Sequence, residues 1–146
     1  MKKLFIILML LSGGGFAWSQ KSPVFVTDKG AIQGYDPVAF FKEQRPVLGS
    51  DAISYEWNDA RWHFASEENK KVFINDPEKY APQYGGYCAF GTAEGHKAPT
   101  EVDTWSIVND KLYFNYNKQV QKEWAKNRGE LIKKADENWP SVKDSQ

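Results

Sequence analysis

The 146-residue sequence has a single cysteine, Cys88. One thiol cannot close an internal disulfide, and it cannot supply a zinc module built on four cysteines or on two cysteines and two histidines. Histidine is almost as scarce, with His63 and His96 alone. A surplus of charge is missing too: Lys+Arg and Asp+Glu are 19 each. That balance argues against a nucleic-acid binder, which needs a basic excess. The apolar run Leu4–Leu11 is about 12 Å long as a helix, against a bilayer core of ~30 Å. There is no Gly-rich phosphate loop, nucleophile elbow, His-Glu-x-x-His or dinucleotide fingerprint. Asp and Glu are plentiful, but none recur at a spacing that pairs two of them for acid–base work.

Hydrophobic residues make up 41% of the chain and aromatics 15%, with 6 Trp. That is too apolar for a disordered chain and enough for a dense core in one domain. Met1-Lys2-Lys3 is a basic start, and the apolar run follows it. Ser12, Gly13-Gly14-Gly15 and the small-bulky-small Ala17-Trp18-Ser19 come next. This order is that of a signal peptide spanning residues 1–19, cut after Ser19. No cysteine follows the run, which closes the lipoprotein route. The mature chain of 127 residues starts at Gln20 and carries 17 basic and 19 acidic side chains, net −2. It is expected to be exported, periplasmic or secreted, with no membrane insertion after signal removal.

Periodicity along the mature chain predicts an α+β fold: small antiparallel hairpins packed with short helices in one domain, residues 20–146. Val24-Phe25-Val26 is a strand candidate. Asp36 caps a helical turn that begins at Pro37. Ile53, Tyr55 and Trp57 alternate with polar residues, and Trp62 and Phe64 alternate within Arg61–Ala65. The two segments are expected to pair across Asn58-Asp59-Ala60. Ser66 is an N-cap, with Glu67 and Glu68 in the first turn where the helix dipole favours them. A further short helix starts at Pro77. Trp105–Val108 and Leu112–Phe114 form a second hairpin across Asn109-Asp110. Asn117 caps a helix carrying Val120 and Trp124 on one face. Gly129 is expected to break it, and Leu131, Ala135 and Trp139 to line a last helix ending before Pro140.

Cys88 follows Gly85-Gly86 at the start of a candidate short helix, where backbone N–H groups would favour a thiolate. It is either a nucleophile or metal ligand, or a small buried hydrophobe between Tyr87 and Phe90. His63 alternates away from Trp62 and Phe64, towards solvent or a second layer. His96 lies in the polar loop Glu94-Gly95-His96-Lys97. Cys88, His63 and His96 are the ligand or metal candidates, and only the fold can bring them together, because no short ligand spacing links them. Trp57, Trp62, Trp105, Trp124 and Trp139 suggest a sugar-binding platform, but they fall on apolar periodic faces and core packing accounts for them better.

Tyr35-Asp36-Pro37-Val38, the stretch from Tyr55 through Phe64-Ala65-Ser66, Phe73 and Asp76-Pro77-Glu78-Lys79-Tyr80 together resemble the YHS domain, over about residues 34–82. The segment 83–146 resembles the exported stand-alone bacterial branch of that family. Its points of likeness are Tyr84-Gly85-Gly86-Tyr87-Cys88-Ala89, Trp105-Ser106-Ile107-Val108, Leu112-Tyr113-Phe114-Asn115 and Ala135-Asp136-Glu137-Asn138-Trp139-Pro140. The resemblance implies a small α+β module and an association with transition-metal binding. Metal-associated relatives look like Asp-Pro-Val-Cys-Gly-Met and Phe-Cys-Ser-x-x-Cys. Here the thiol positions are held by Ala39, Ala65 and Asn69, and an amide and two methyls are poor ligands for soft metals. The expectation is therefore an exported non-catalytic binding module that handles a metal or small ligand at the envelope. The competing expectation is a thiol-dependent enzyme or redox protein working through Cys88.

Overall fold

The computed structural model describes residues 22–145; the expected leader, residues 1–19, lies outside them. The chain forms three two-stranded antiparallel sheets and a set of mostly short helices, an α+β single domain. The first sheet is a ribbon of β1 (Val26–Thr27) and β2 (Gly30–Ala31). The helical turn α1 (Ala39–Lys42) follows, then the hairpin β3 (Ser50–Trp57) and β4 (Ala60–Phe64). Helices α2 (Glu67–Asn75), α3 (Pro77–Tyr80) and α4 (Ala89–Ala93) lead to the hairpin β5 (Ser106–Val108) and β6 (Lys111–Tyr113). Helices α5 (Lys118–Lys126) and α6 (Arg128–Val142) complete the described chain.

Both longer hairpins follow from two-residue turns. Asn58 and Asp59 have φ of 52° and 58°, and Asn109 and Asp110 have φ of 50° and 61°. Two consecutive left-handed residues match the twist of the flanking strands, and Asn and Asp tolerate that conformation best among residues with a side chain. The first turn sets Tyr55 opposite Trp62 and Trp57 opposite Ala60. Trp62, Phe64 and Phe73 are thereby buried together with Phe40, Leu112 and Phe114 in the first core cluster. Strand β6 separates two cores: Leu112 and Phe114 face the first, while Tyr113 faces a second built with Tyr84, Trp124 and Ala135. Two caps form as expected, with the Ser66 hydroxyl accepting from Asn69 N–H at 3.1 Å and the Asn117 amide oxygen from Val120 N–H at 2.9 Å. The third is displaced, since α1 begins at Ala39 with Val38 as its N-cap and Asp36 bonds the turn before it.

Three local expectations are corrected. Only Val26 of Val24-Phe25-Val26 enters a strand; Val24 is buried in the first core, and Phe25 N–H donates to Gly85 O at 2.8 Å. The break between the last two helices falls at Asn127 (φ −139°, ψ 41°), not Gly129. Gly129 sits in the first turn of α6, where backbone N–H groups have no intrahelical acceptor in any case. Pro140 does not end α6, which continues to Val142. In the last turn its missing N–H removes a single bond, and Lys143 N–H still reaches Trp139 O at 2.7 Å.

Candidate functional site

Ala39, Ala65 and Asn69 converge on one carboxylate. Asp36 is fully buried. Its Oδ1 accepts from Val38 N–H at 2.9 Å and Ala39 N–H at 3.3 Å. Its Oδ2 accepts from Ala65 N–H at 2.9 Å and from the Asn69 side-chain amide at 2.8 Å. Ser66 starts α2 at the point that turns Asn69 inward, and Pro37 presets the turn that brings the Val38 and Ala39 amides to Asp36. Four N–H donors therefore surround the carboxylate at the centre of the cluster. Ala39 and Ala65 add only methyl groups, and the Asn69 nitrogen is spent on Asp36. These residues do not fit a transition metal, which needs thiolate, imidazole or uncommitted carboxylate donors.

Cys88 lies just before α4 and is buried, between Tyr87 and Ala89 which are buried as well. Its Sγ accepts from Gly91 N–H at 3.4 Å, and the thiol faces the Asn115 amide oxygen at 3.6 Å. Burial pushes the thiol above its ordinary value of 9.0, outweighing the backbone N–H groups that favour the thiolate. His63 is buried under the β1–β2 ribbon, with its ring close to Gly30 and Gly34 and its Nδ1 3.2 Å from Asp51 Oδ1. The second layer, not solvent, is what its side of β4 meets. His96 is exposed and packs over Gly91. Cys88, His63 and His96 are not assembled into one centre: among the described residues no group of three or more His, Cys, Asp or Glu side chains could hold a metal ion.

A cleft of about 440 Å³ lies between the tip of the β3–β4 hairpin, α3, the turn at residues 83–86 and α6. Its volume falls in the usual range of small-molecule sites, roughly 300–1,000 Å³. Trp57 and Trp139 are half-buried and line it, with Trp62 and Tyr84 deeper. The hidden side of Trp57 is fixed by Trp62 and Phe73, with ring centroids 5.8 and 5.7 Å away. Trp139 is fixed by Tyr84 at 6.0 Å and Tyr87 at 6.4 Å. Tyr84 donates its hydroxyl to Asp136 Oδ1 at 2.8 Å. Burial first, and then this carboxylate, push the Tyr84 hydroxyl well above its ordinary value of 10.0, so it stays a donor. Asn58, Glu78, Gln83 and Lys143 supply the remaining polar groups of the wall.

The floor depends on one glycine. Gly85 has φ +63°, and a Cβ there would lie 1.8 Å from Pro23 O. No larger residue lets the segment Pro23–Phe25 approach so closely. Sequence reasoning placed Trp57 and Trp139 in the core and did not single out Tyr84, Glu78 or Asp136. The available signal was on α6, where Asp136 and Trp139 are three residues apart and so share a face.

Two further hollows are less enclosed by fixed groups. One, about 520 Å³, runs beside His63, and half of its lining is charged, including Asp28 and Asp59 in turns and Asp51 on β3. The other, about 350 Å³, lies at Phe25, Tyr87 and Pro99. Among the described residues no helix is long and apolar enough to cross a membrane. No family model, no curated protein and no solved structure matches this chain.

Proposed function

We propose that this protein is an exported, non-catalytic binding module of the YHS type, and that it holds a small molecule in the cleft between the β3–β4 hairpin and α6. The observation that carries this reading is the cleft itself. Four segments distant in sequence build it, two half-buried indoles packed on neighbouring rings line it, and Tyr84 holds Asp136 in place. Such preorganisation suits binding, because little side-chain freedom is left to lose when a ligand arrives. The alternative, thiol chemistry at Cys88, is disfavoured by the burial of the sulfur and the upward shift of its titration. Metal capture at Ala39, Ala65 and Asn69 is disfavoured by the closed hydrogen-bond set on Asp36.

Two measurements test the reading. For export, intact-mass analysis of protein recovered outside the cytoplasm is expected to give a chain beginning at Gln20; an intact Met1 in a membrane fraction would overturn it. For binding, the wild type and Trp139→Ala are incubated with the small-molecule fraction of an envelope extract and compared by native mass spectrometry. A small-molecule adduct is expected on the wild type and not on the variant. No adduct, or equal adducts on both, would remove the cleft as the site.

A further inference from the structure

We infer that the cleft takes a pyranose sugar, one or two rings long. This rests on the cleft being a small-molecule site, and it goes further by naming the ligand's chemistry. The first argument is the aromatic geometry. Trp57 reaches the cleft from the end of β3 and Trp139 from α6, so two half-buried indoles line the same space from different walls. An aromatic face carries partial negative charge and attracts the weakly positive C–H bonds that cover the flat side of a pyranose. The rest of each indole is already held by Trp62 and Phe73, or by Tyr84 and Tyr87.

The second argument is the mixture of polar groups. Glu78 and Asp136 are acceptors, Lys143 is a donor, and the amides of Asn58 and Gln83 are both. A hydroxyl both donates and accepts, so a ring of hydroxyls can satisfy such a wall, whereas a ligand of one charge sign cannot. The Tyr84 hydroxyl occupies Asp136 Oδ1, which orients the carboxylate and leaves Oδ2 to accept from a ligand. An organic cation is the nearest competitor, since indoles and carboxylates also form cation cages. Lys143 on the same wall offsets one of the two carboxylates, which weakens the draw on a cation and leaves a neutral sugar unaffected. The volume of about 440 Å³ accommodates a small saccharide, and the open side lets a longer chain extend past it.

The test is calorimetric and fluorescence titration of the mature chain with cellobiose, maltose, N,N′-diacetylchitobiose and choline chloride. At least one of the three sugars is expected to bind and to change Trp emission. Trp139→Ala and Glu78→Gln are each expected to weaken that binding by about tenfold, the size of one lost stacking or charged hydrogen-bond contact. Glu78 is exposed on α3, so its variant keeps the test valid if Trp139→Ala loses its fold. Choline binding without sugar binding would overturn the sugar and leave the cleft as a small-molecule site. Absence of sugar binding alongside a Trp139-dependent adduct in the extract experiment would do the same. Absence of both would overturn the sugar and the binding function together. Sugar binding unchanged in both variants would overturn the placement in this cleft.

Discussion

Replacing Asp36 by Asn changes one oxygen to an amino group and tests whether hydrogen bonds alone hold the centre of this domain. Oδ1 can still accept from the Val38 and Ala39 amides, as it does at 2.9 and 3.3 Å. The Oδ2 side then sets a donor against two donors, Ala65 N–H and the Asn69 amide, which now sit 2.9 and 2.8 Å away. Each hydrogen bond to a charged group contributes about 1.5–3 kcal/mol. Losing two of them costs roughly 3–6 kcal/mol, a large share of the ~5–15 kcal/mol that stabilises a typical domain. Urea unfolding followed by Trp emission and far-ultraviolet circular dichroism should therefore show a fall of about 2 M in midpoint, taking a slope of ~2 kcal/mol/M. Asn69→Ala removes one of the bonds and should cost about half as much. Adding Asn69→Asp to Asp36→Asn restores one donor–acceptor pair and should recover part of the loss. A loss below ~1 kcal/mol for Asp36→Asn, the level of an ordinary surface change, refutes the argument. A midpoint lowered by EDTA in the wild type would refute it too, since it would mean that a metal contributes.

Trp62→Ala removes a fully buried indole packed on Trp57 and Phe73 and should cost about 3–5 kcal/mol in the same assay. A loss below ~1 kcal/mol would contradict the hairpin register. Native Cys88 should react with a small maleimide far more slowly than the unfolded chain does; reaction at the rate of a free thiol would return the protein to the thiol-chemistry alternative. Burial raises the titration of Cys88, Tyr84, Tyr87 and Tyr113 above their ordinary values of 9.0 and 10.0. Well below those values folded and unfolded chains both keep these protons, and above them only the folded chain does, so stability should fall as pH rises. Tyr84→Phe should flatten that fall above about pH 10, and an unchanged slope would count against it.

The parts of the fold that were legible in the sequence are the ones decided within a few residues. The Asn-Asp turns, the alternation around Trp57 and Trp62, and the caps at Ser66 and Asn117 each depend on local geometry, and each forms. Gly129 and Pro140 misled because their cost depends on position within a helix. In the first turn Gly129 gives up no hydrogen bond, and in the last turn Pro140 gives up one. His63 was only half legible, since alternation fixes the side of β4 but not what covers it. The covering ribbon β1–β2 is four residues of strand, paired only as Val26–Ala31 and Thr27–Gly30. Of the cleft, only the shared face of Asp136 and Trp139 on α6 left a signal in the sequence. The cleft joins Pro23, Trp57, Glu78, Tyr84 and Asp136, and no local spacing relates residues so far apart.

Several buried polar groups of the domain are committed to internal hydrogen bonds, and some of them brace the wall of the cleft. Asp36 is closed by four N–H donors. Lys97 is buried with its ammonium donating to Lys143 O at 2.7 Å and Ser145 O at 2.9 Å, and it stands 5.3 Å over the Tyr87 ring. A cation at the last carbonyls of a helix is favoured by the helix dipole, so Lys97 fastens the C-terminal end of α6. Asn138 fastens the same helix from another side, donating to Thr92 O and Ala93 O at the end of α4. The two anchors bracket Trp139, and Asp136 lies one turn earlier, tied to Tyr84. The wall of the cleft is thus held at three points by bonds that a ligand does not need to break. A ligand of the proposed kind would meet an indole and a carboxylate already in position, the arrangement that favours affinity without a conformational change.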